Sequence, residues 1–177
     1  VANPFINLLF GANWIASIPY FQVLCLAGML FPLHAINLNI LQVKGRSDLF
    51  LGLEIIKKVV GVTSIGIVLF LKLGIMGLLW TAVLNSYIAY FINSYFSAEL
   101  LSYSTKEQIK DIMPIFIVSI LMGTLVYFSG TVLPDNYFIK LLVQIFIGVV
   151  TYIGISRIAK IEELKMVYDM IVQFLIK

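Results

Sequence analysis

The sequence predicts an all-α fold, an integral membrane helical bundle of about five transmembrane helices plus a C-terminal amphipathic helix. Three observations predict it. First, 61% of the 177 residues are hydrophobic and only 12% are charged, with a mean hydropathy of +1.03. A soluble domain carries about 25% charged residues, so a chain this poor in charge could not cover a water-facing surface. Second, the apolar residues fall into runs close to the ~20 residues that cross a hydrocarbon core about 30 Å thick. Third, the runs are too long and too uniformly apolar for barrel strands, and within a bilayer only helices and closed barrels satisfy every backbone N–H and C=O.

The spans are expected at Ser17 to Val43, Leu49 to Leu71, Gly74 to Phe96, Ile112 to Leu133 and Tyr137 to Ile158. Between them lie Lys44–Asp48, Lys72–Gly74, a longer polar stretch from Ser97 to Asp111, and Pro134-Asp135-Asn136. Joints this short make sequential helices antiparallel neighbours. Residues 1–16 are expected at the outer, periplasmic interface, with Asn13-Trp14 as an aromatic anchor beside the apolar Phe5–Phe10 stretch. Residues 159–177 form the tail. There Ile161, Leu164, Tyr168, Ile171 and Leu175 recur at spacings of three and four, while Glu162, Glu163, Lys165 and Asp169 fall mostly opposite. That pattern is an amphipathic helix lying on the cytoplasmic face or against the bundle.

Lys and Arg orient the bundle. Lys44, Arg46, Lys106, Lys110, Arg157, Lys160, Lys165 and Lys177 fall on one side, against Lys72 and Lys140 on the other, so the C-terminus is expected in the cytoplasm. The net charge of +3 is read as this topology signal. It does not indicate nucleic acid, because no Lys/Arg stripe interleaves with aromatics. The single cysteine, Cys25, excludes a disulfide framework and reads as a small core residue. The chain begins at Val1 without Met and without a signal-peptide pattern, and is expected to be the C-terminal part of something longer.

No catalytic motif is legible. The sequence has no His-x-x-x-His, Cys-x-x-Cys or Gly-x-Ser-x-Gly pattern and no phosphate-cradling glycine loop, so neither an enzyme nor a cofactor is expected. What stands out is polarity at membrane depth, which is costly and usually faces a bundle interior or a hydrated cavity. The first span carries Pro32, His34, Asn37, Asn39 and Gln42. Pro32 should kink it. His34 and Asn37 share one face, Asn39 and Gln42 another. These residues read as interhelical hydrogen-bonding glue, as a cavity wall meeting a polar substrate, or as a proton relay on His34. The second span carries Glu54, Lys57 and Lys58. Either this end projects into water, leaving too short a stretch to span, or it lines a hydrated cavity whose lysines attract an anion such as phosphate. Lys57 and Lys58 stand about 100° apart on the helix, so one is expected to face the cavity and the other to pair with Glu54 or snorkel. Ala82 with Ser86, Ser119 with Gly123, and Gly148 and Gly154 read as close-packing positions.

Leu8-Leu9-Phe10-Gly11-Ala12-Asn13-Trp14, Pro19-Tyr20-Phe21-Gln22-Val23-Leu24-Cys25, Lys44-Gly45-Arg46-Ser47-Asp48, Leu53-Glu54-Ile55-Ile56-Lys57-Lys58 and Gly74-Ile75-Met76-Gly77-Leu78 together resemble the second half of bacterial polysaccharide flippases. These are the Wzx-type O-antigen exporters of the multidrug/oligosaccharidyl-lipid/polysaccharide exporter superfamily, and the resemblance covers nearly the whole chain. It implies two six-helix lobes around a central cavity, in the inner membrane. It implies alternating access that carries an undecaprenyl-diphosphate-linked oligosaccharide to the periplasmic leaflet for lipopolysaccharide or other surface polysaccharide. The partners it implies are that lipid-linked oligosaccharide, membrane lipid and the missing N-terminal lobe. Arg46, Lys57 and Lys58 would meet the diphosphate, with His34 and Asn37 beside them as substrate-binding candidates. A two-lobe transporter cannot alternate with one incomplete lobe, so this chain alone is expected to be inactive. Three rivals stand beside this reading. A drug/cation antiporter of the superfamily would need membrane carboxylates, and Glu54 is the one within a span. A polysaccharide polymerase or acyltransferase would need large outer loops or a catalytic histidine. The third is a purely structural subunit.

Overall fold

In the computed structural model, residues 1–134 and 136–175 are described, with backbone alone at 162, 163, 167, 168, 171 and 175. The described residues form helices α1 (Ala2–Phe10), α2 (Ile18–Gly28), α3 (Phe31–Val43), α4 (Ser47–Phe70), α5 (Gly74–Leu101), α6 (Thr105–Val132), α7 (Tyr137–Ile158) and α8 (Glu162–Leu175), with a 3-10 turn at Ala12–Ser17. The fold is all-α, as its apolar runs require. Four stretches are long and apolar enough to cross a membrane by length and composition: Ala12–Val43, Gly74–Leu101, Thr105–Val132 and Tyr137–Ile158. The expected fifth span, α4, has 24 residues, about 36 Å of helix, and is long enough. Glu54, Lys57 and Lys58 within it keep it out of the apolar set.

The chain divides into two compact units. In the unit Ala16–Gln108, α5 is the central helix, and α2, α3 and α4 all pack on it. The first expected span is broken between Gly28 and Phe31. Pro32, in the first turn of α3, has no N–H to give and its ring crowds the carbonyl four residues back, which ends α2 there. Ala27 O, at the end of α2, accepts instead from Ser86 Oγ of α5 at 2.8 Å. A side chain on a neighbouring helix thus satisfies backbone that the break would strand in an apolar surround.

The expected polar loop from Ser97 to Asp111 is a correction. Most of it is helix: α5 runs on to Leu101 and α6 begins at Thr105, so the joint is Ser102–Ser104. Ser102 takes a left-handed turn at φ 55°. Ser104 then caps α6: its Oγ accepts from Glu107 N at 3.2 Å, while Glu107 Oε2 accepts from Ser104 N at 2.7 Å. That reciprocal pair is a capping box, and it starts the helix seven residues before the apolar run. Helix α3 closes with Arg46 N on Leu41 O (2.9 Å), Gly45 N on Gln42 O (3.0 Å) and Gly45 at φ 71°. This is a Schellman end, which turns the chain sharply into α4.

The second unit comprises Val1–Ile15 and Ile109–Lys177. Helix α1 packs on α7 with Ile6 buried, while Phe10 and Trp14 are exposed, their rings 6.2 Å apart. Helices α6 and α7 meet through Gln144, whose amide donates to Val126 O at 3.3 Å and lies where a Cβ on Gly130 would stand. Gly148 faces Val126 and Met122. Between α6 and α7, the glycines that face a side chain of the other helix are therefore Gly130 and Gly148. Gly123 and Gly154 face open space and Ala82 is exposed, because the lines of contact run along other faces of these helices. Helix α8 packs on α7, with Lys165 and Asp169 exposed. The side chains of Tyr168, Ile171 and Leu175 on its expected apolar face, and of Glu162 and Glu163, lie outside the described residues, as do Asp135 and Lys177.

Candidate functional site

The polar side chains of the first unit converge on α5. Its buried residues Val83, Ser86, Tyr90, Asn93, Ser94 and Ser97 recur every three or four positions and so form one stripe, polar over most of its length. His34 and Asn37 of α3 meet this stripe. His34 Nε2 lies 3.3 Å from Ser86 Oγ, and Asn93 Nδ2 lies 3.4 Å from His34 Nδ1. Ser86 spends its proton on Ala27 O, so it accepts from His34, which places a hydrogen on Nε2. The Tyr90 ring stands edge-on to the imidazole at 6.4 Å between centroids.

Asn37 is 2% exposed and fully engaged. Its Nδ2 donates to Leu33 O at 3.0 Å and to Gln108 Oε1 at 3.2 Å, and its Oδ1 accepts from Ser97 Oγ at 2.5 Å. Ser94 Oγ donates to Thr105 Oγ1 at 2.8 Å. These bonds tie α3, α5 and the first turn of α6 together. Asn39 and Gln42, on the other face of α3, are exposed.

Helix α4 presents a second stripe. Leu53 and Val68 are buried, and Lys57, Gly61 and Ser64 lie between them at spacings of four and three. Asn85 of α5 donates to Ser64 Oγ at 2.8 Å, which pins this face of α4 on α5. Lys57 therefore points inward, its side chain 16% exposed, about 15 Å along the helix from Ser47. Its ammonium donates to Glu54 Oε1 at 2.5 Å and lies close enough to act electrostatically on His34. Lys58 is exposed. The pairing with Glu54 expected as one alternative for the second lysine thus falls to the inward one, and Lys58 is left at the surface. Lys57 faces the interior and also holds Glu54, because 54 and 57 sit one turn apart on neighbouring faces.

Arg46 does not join this group. It is exposed at the α3–α4 joint and forks onto Asp48, with Nε and Nη2 each 3.0 Å from a carboxylate oxygen. The Asp48 hydrogen bond holds the guanidinium above its ordinary range, and Arg46 in turn holds the Asp48 carboxyl below the usual carboxylate range. Arg46 and Lys57 stand eleven positions apart in the chain, about 16 Å of helical rise. Of the five candidate residues, the structure gathers His34, Asn37 and Lys57 around α5 and leaves Arg46 and Lys58 at the surface. It adds Ser86, expected as a packing position, Ser97 and Gln108, expected in a polar joint, and Asn93, which was not singled out. The spacing of Ser86, Asn93 and Ser97 along α5 was a signal that could have found those three.

No family model matches the chain, and no solved structure matches it. Among curated proteins, the chain is similar to the teichuronic acid biosynthesis protein TuaB of Bacillus subtilis (strain 168), with 26% identity over 162 residues. The match covers 86% of this chain and 32% of that protein, so the chain spans about a third of the relative's length. The fold is that of an all-α membrane helical bundle, and the chain is similar in sequence to a protein of teichuronic acid biosynthesis.

Proposed function

We propose that the chain is the C-terminal part of a transporter, not an enzyme, that flips an undecaprenyl-diphosphate-linked oligosaccharide across the bacterial cytoplasmic membrane during surface polysaccharide biosynthesis. Lipopolysaccharide O-antigen is one such product. The observation that carries the reading is Lys57, an inward-facing cation midway along a helix packed in an apolar bundle. A charge there is costly and is kept where it meets an ion or a polar ligand. The similarity to a teichuronic acid biosynthesis protein supports the polysaccharide pathway. The break at Gly28–Phe31 beside Lys57's helix supports transport, since discontinuous helices line midplane sites in secondary transporters. A cation antiporter is disfavoured because Glu54, the carboxylate beside the inward lysine, already holds Lys57.

The test is depletion of the full-length protein. Lipid-linked oligosaccharide units should then accumulate out of reach of a membrane-impermeant periodate label. Single units that accumulate within reach of the label would indicate a polymerase, and no accumulation would indicate a transporter of another cargo.

In this reading α4 crosses the membrane as a fifth span, and the α3–α4 and α5–α6 joints and the C-terminus are cytoplasmic. In a Cys25→Ser background, cysteine at Lys106 should be protected from an impermeant thiol reagent in intact cells. Cysteine at Pro134, exposed in the α6–α7 joint, should react. The reverse pattern would invert the topology.

A further inference from the structure

Glu54 lies between two lysines. Measured around the helix from Glu54, Lys57 stands about 60° to one side and Lys58 about 40° to the other. Both spacings, three and four, bring the carboxylate within reach. In the structure Glu54 holds the inward Lys57, while Lys58 is exposed and, among the described residues, makes no ion pair. The helices packed against α4 supply no second carboxylate for Lys57. Helix α3 carries His34 as its one ionisable side chain, and α5 has no charged residue before Glu99. The cation offered to a ligand is therefore already neutralised, and a vacant partner for the neutralising group stands one residue further on.

We infer that Glu54 is an internal counter-ion switch that sets the specificity of the Lys57 site, yielding Lys57 to a phosphate or diphosphate group and passing to Lys58. The inference rests on the proposed transport reading. The chemistry is one of competition. A phosphate carries about −1.5 to −2 charge at neutral pH and offers three acceptor oxygens, so it out-competes one carboxylate for an ammonium. A monovalent anion or a neutral lipid does not. Without an alternative partner, the displaced carboxylate would stand beside the incoming phosphate and repel it. Lys58 removes that repulsion at no covalent cost.

The test measures binding of geranyl diphosphate, inorganic diphosphate and acetate to the full-length protein in nanodiscs, with and without phosphatidylglycerol. The parent should bind both diphosphates, ignore acetate and be indifferent to phosphatidylglycerol. Competition by phosphatidylglycerol would make the headgroup of bulk lipid the occupant and overturn the assignment. Glu54→Gln should tighten diphosphate binding about tenfold and admit acetate. Lys58→Gln should weaken diphosphate binding about threefold in the parent, but change nothing in the Glu54→Gln background, because its part is played through Glu54. If Glu54→Gln does not reach the membrane, Glu54→Ser reads the same competition. Unchanged or weaker binding in both Glu54 variants overturns the switch. So does a Lys58→Gln effect that persists without Glu54. If Lys57→Gln binds diphosphate as the parent does, the transport reading of Lys57 falls with it. If Lys57→Gln loses binding while Glu54→Gln matches the parent, the reading stands and the switch does not.

Discussion

In the full-length protein, Lys57→Gln should lower export of the lipid-linked oligosaccharide by at least about tenfold at unchanged protein level. Hydrogen bonds to charged groups contribute about 1.5–3 kcal/mol, and 1.4 kcal/mol is a factor of ten. Glutamine keeps a donor of similar reach but removes the charge. Lys57→Arg should retain most export, since a guanidinium also pairs with phosphate oxygens. Lys58→Gln should cost no more than a few-fold, because Lys58 is exposed and its neighbour is the inward residue. Removing Lys57 also leaves Glu54 without its partner, and a lone half-buried carboxylate could disturb the helix by itself. The double variant Glu54→Gln/Lys57→Gln separates the two effects. It should fold as the parent does and still fail to export. Parental export from Lys57→Gln, or restored export from the double variant, would leave Lys57 as a structural half of an ion pair. The measurement is the ratio of surface to total lipid-linked oligosaccharide in cells carrying each variant as their sole copy.

What the sequence made legible follows from how strongly each feature is written into neighbouring residues. Helix α7 lies at Tyr137–Ile158 as expected, because a single apolar run begins after Asn136, whose Oδ1 accepts from Phe138 N and Ile139 N. The break in the first span was legible because Pro32 acts on its own helix. The α5–α6 joint was not, because polarity there was read as exposure. Ser97 and Gln108 are buried, and both are hydrogen-bonded by Asn37, about sixty to seventy residues away. Local composition cannot carry that information, although the capping box at Ser104 and Glu107 marked the helix start. The choice between Lys57 and Lys58 was closed to the sequence for a similar reason. It depends on the rotation of α4 about its axis, which Leu53, Val68 and the Asn85–Ser64 bond fix against α5. The glycines mislead in the same way: Gly123 and Gly130 look alike in sequence, yet the Gln144 amide lies against Gly130 alone of the two.

Asn37→Leu should destabilise the protein by about 2 kcal/mol, and Asn39→Leu, two residues away on the same helix, by less than about 0.5 kcal/mol. The sequence places both asparagines in one apolar span, and the structure separates them. Asn37 is 2% exposed with three hydrogen bonds across or along the bundle, whereas Asn39 is exposed and needs none from the protein. Single interhelical hydrogen bonds in membrane proteins contribute about 0.6 kcal/mol on average and at most about 1.7. The size of the Asn37 effect therefore comes from what is left behind. Ser97 can turn its hydroxyl fully to Ser94 O, which it already approaches at 3.2 Å. Gln108 has no such recourse: its carbonyl oxygen loses the Asn37 amide in a site 6% exposed, and an orphaned buried acceptor costs about 1–3 kcal/mol. Gln108→Leu in the Asn37→Leu background removes that orphan and should recover more than half of the loss, a non-additivity expected for groups in one network. Equilibrium unfolding of the full-length protein in detergent reads both numbers. Transport per folded molecule should be unchanged in Asn37→Leu, since every polar atom of Asn37 is spent inside the bundle. A variant that folds as stably as the parent but exports poorly would move Asn37 from the framework to the substrate path.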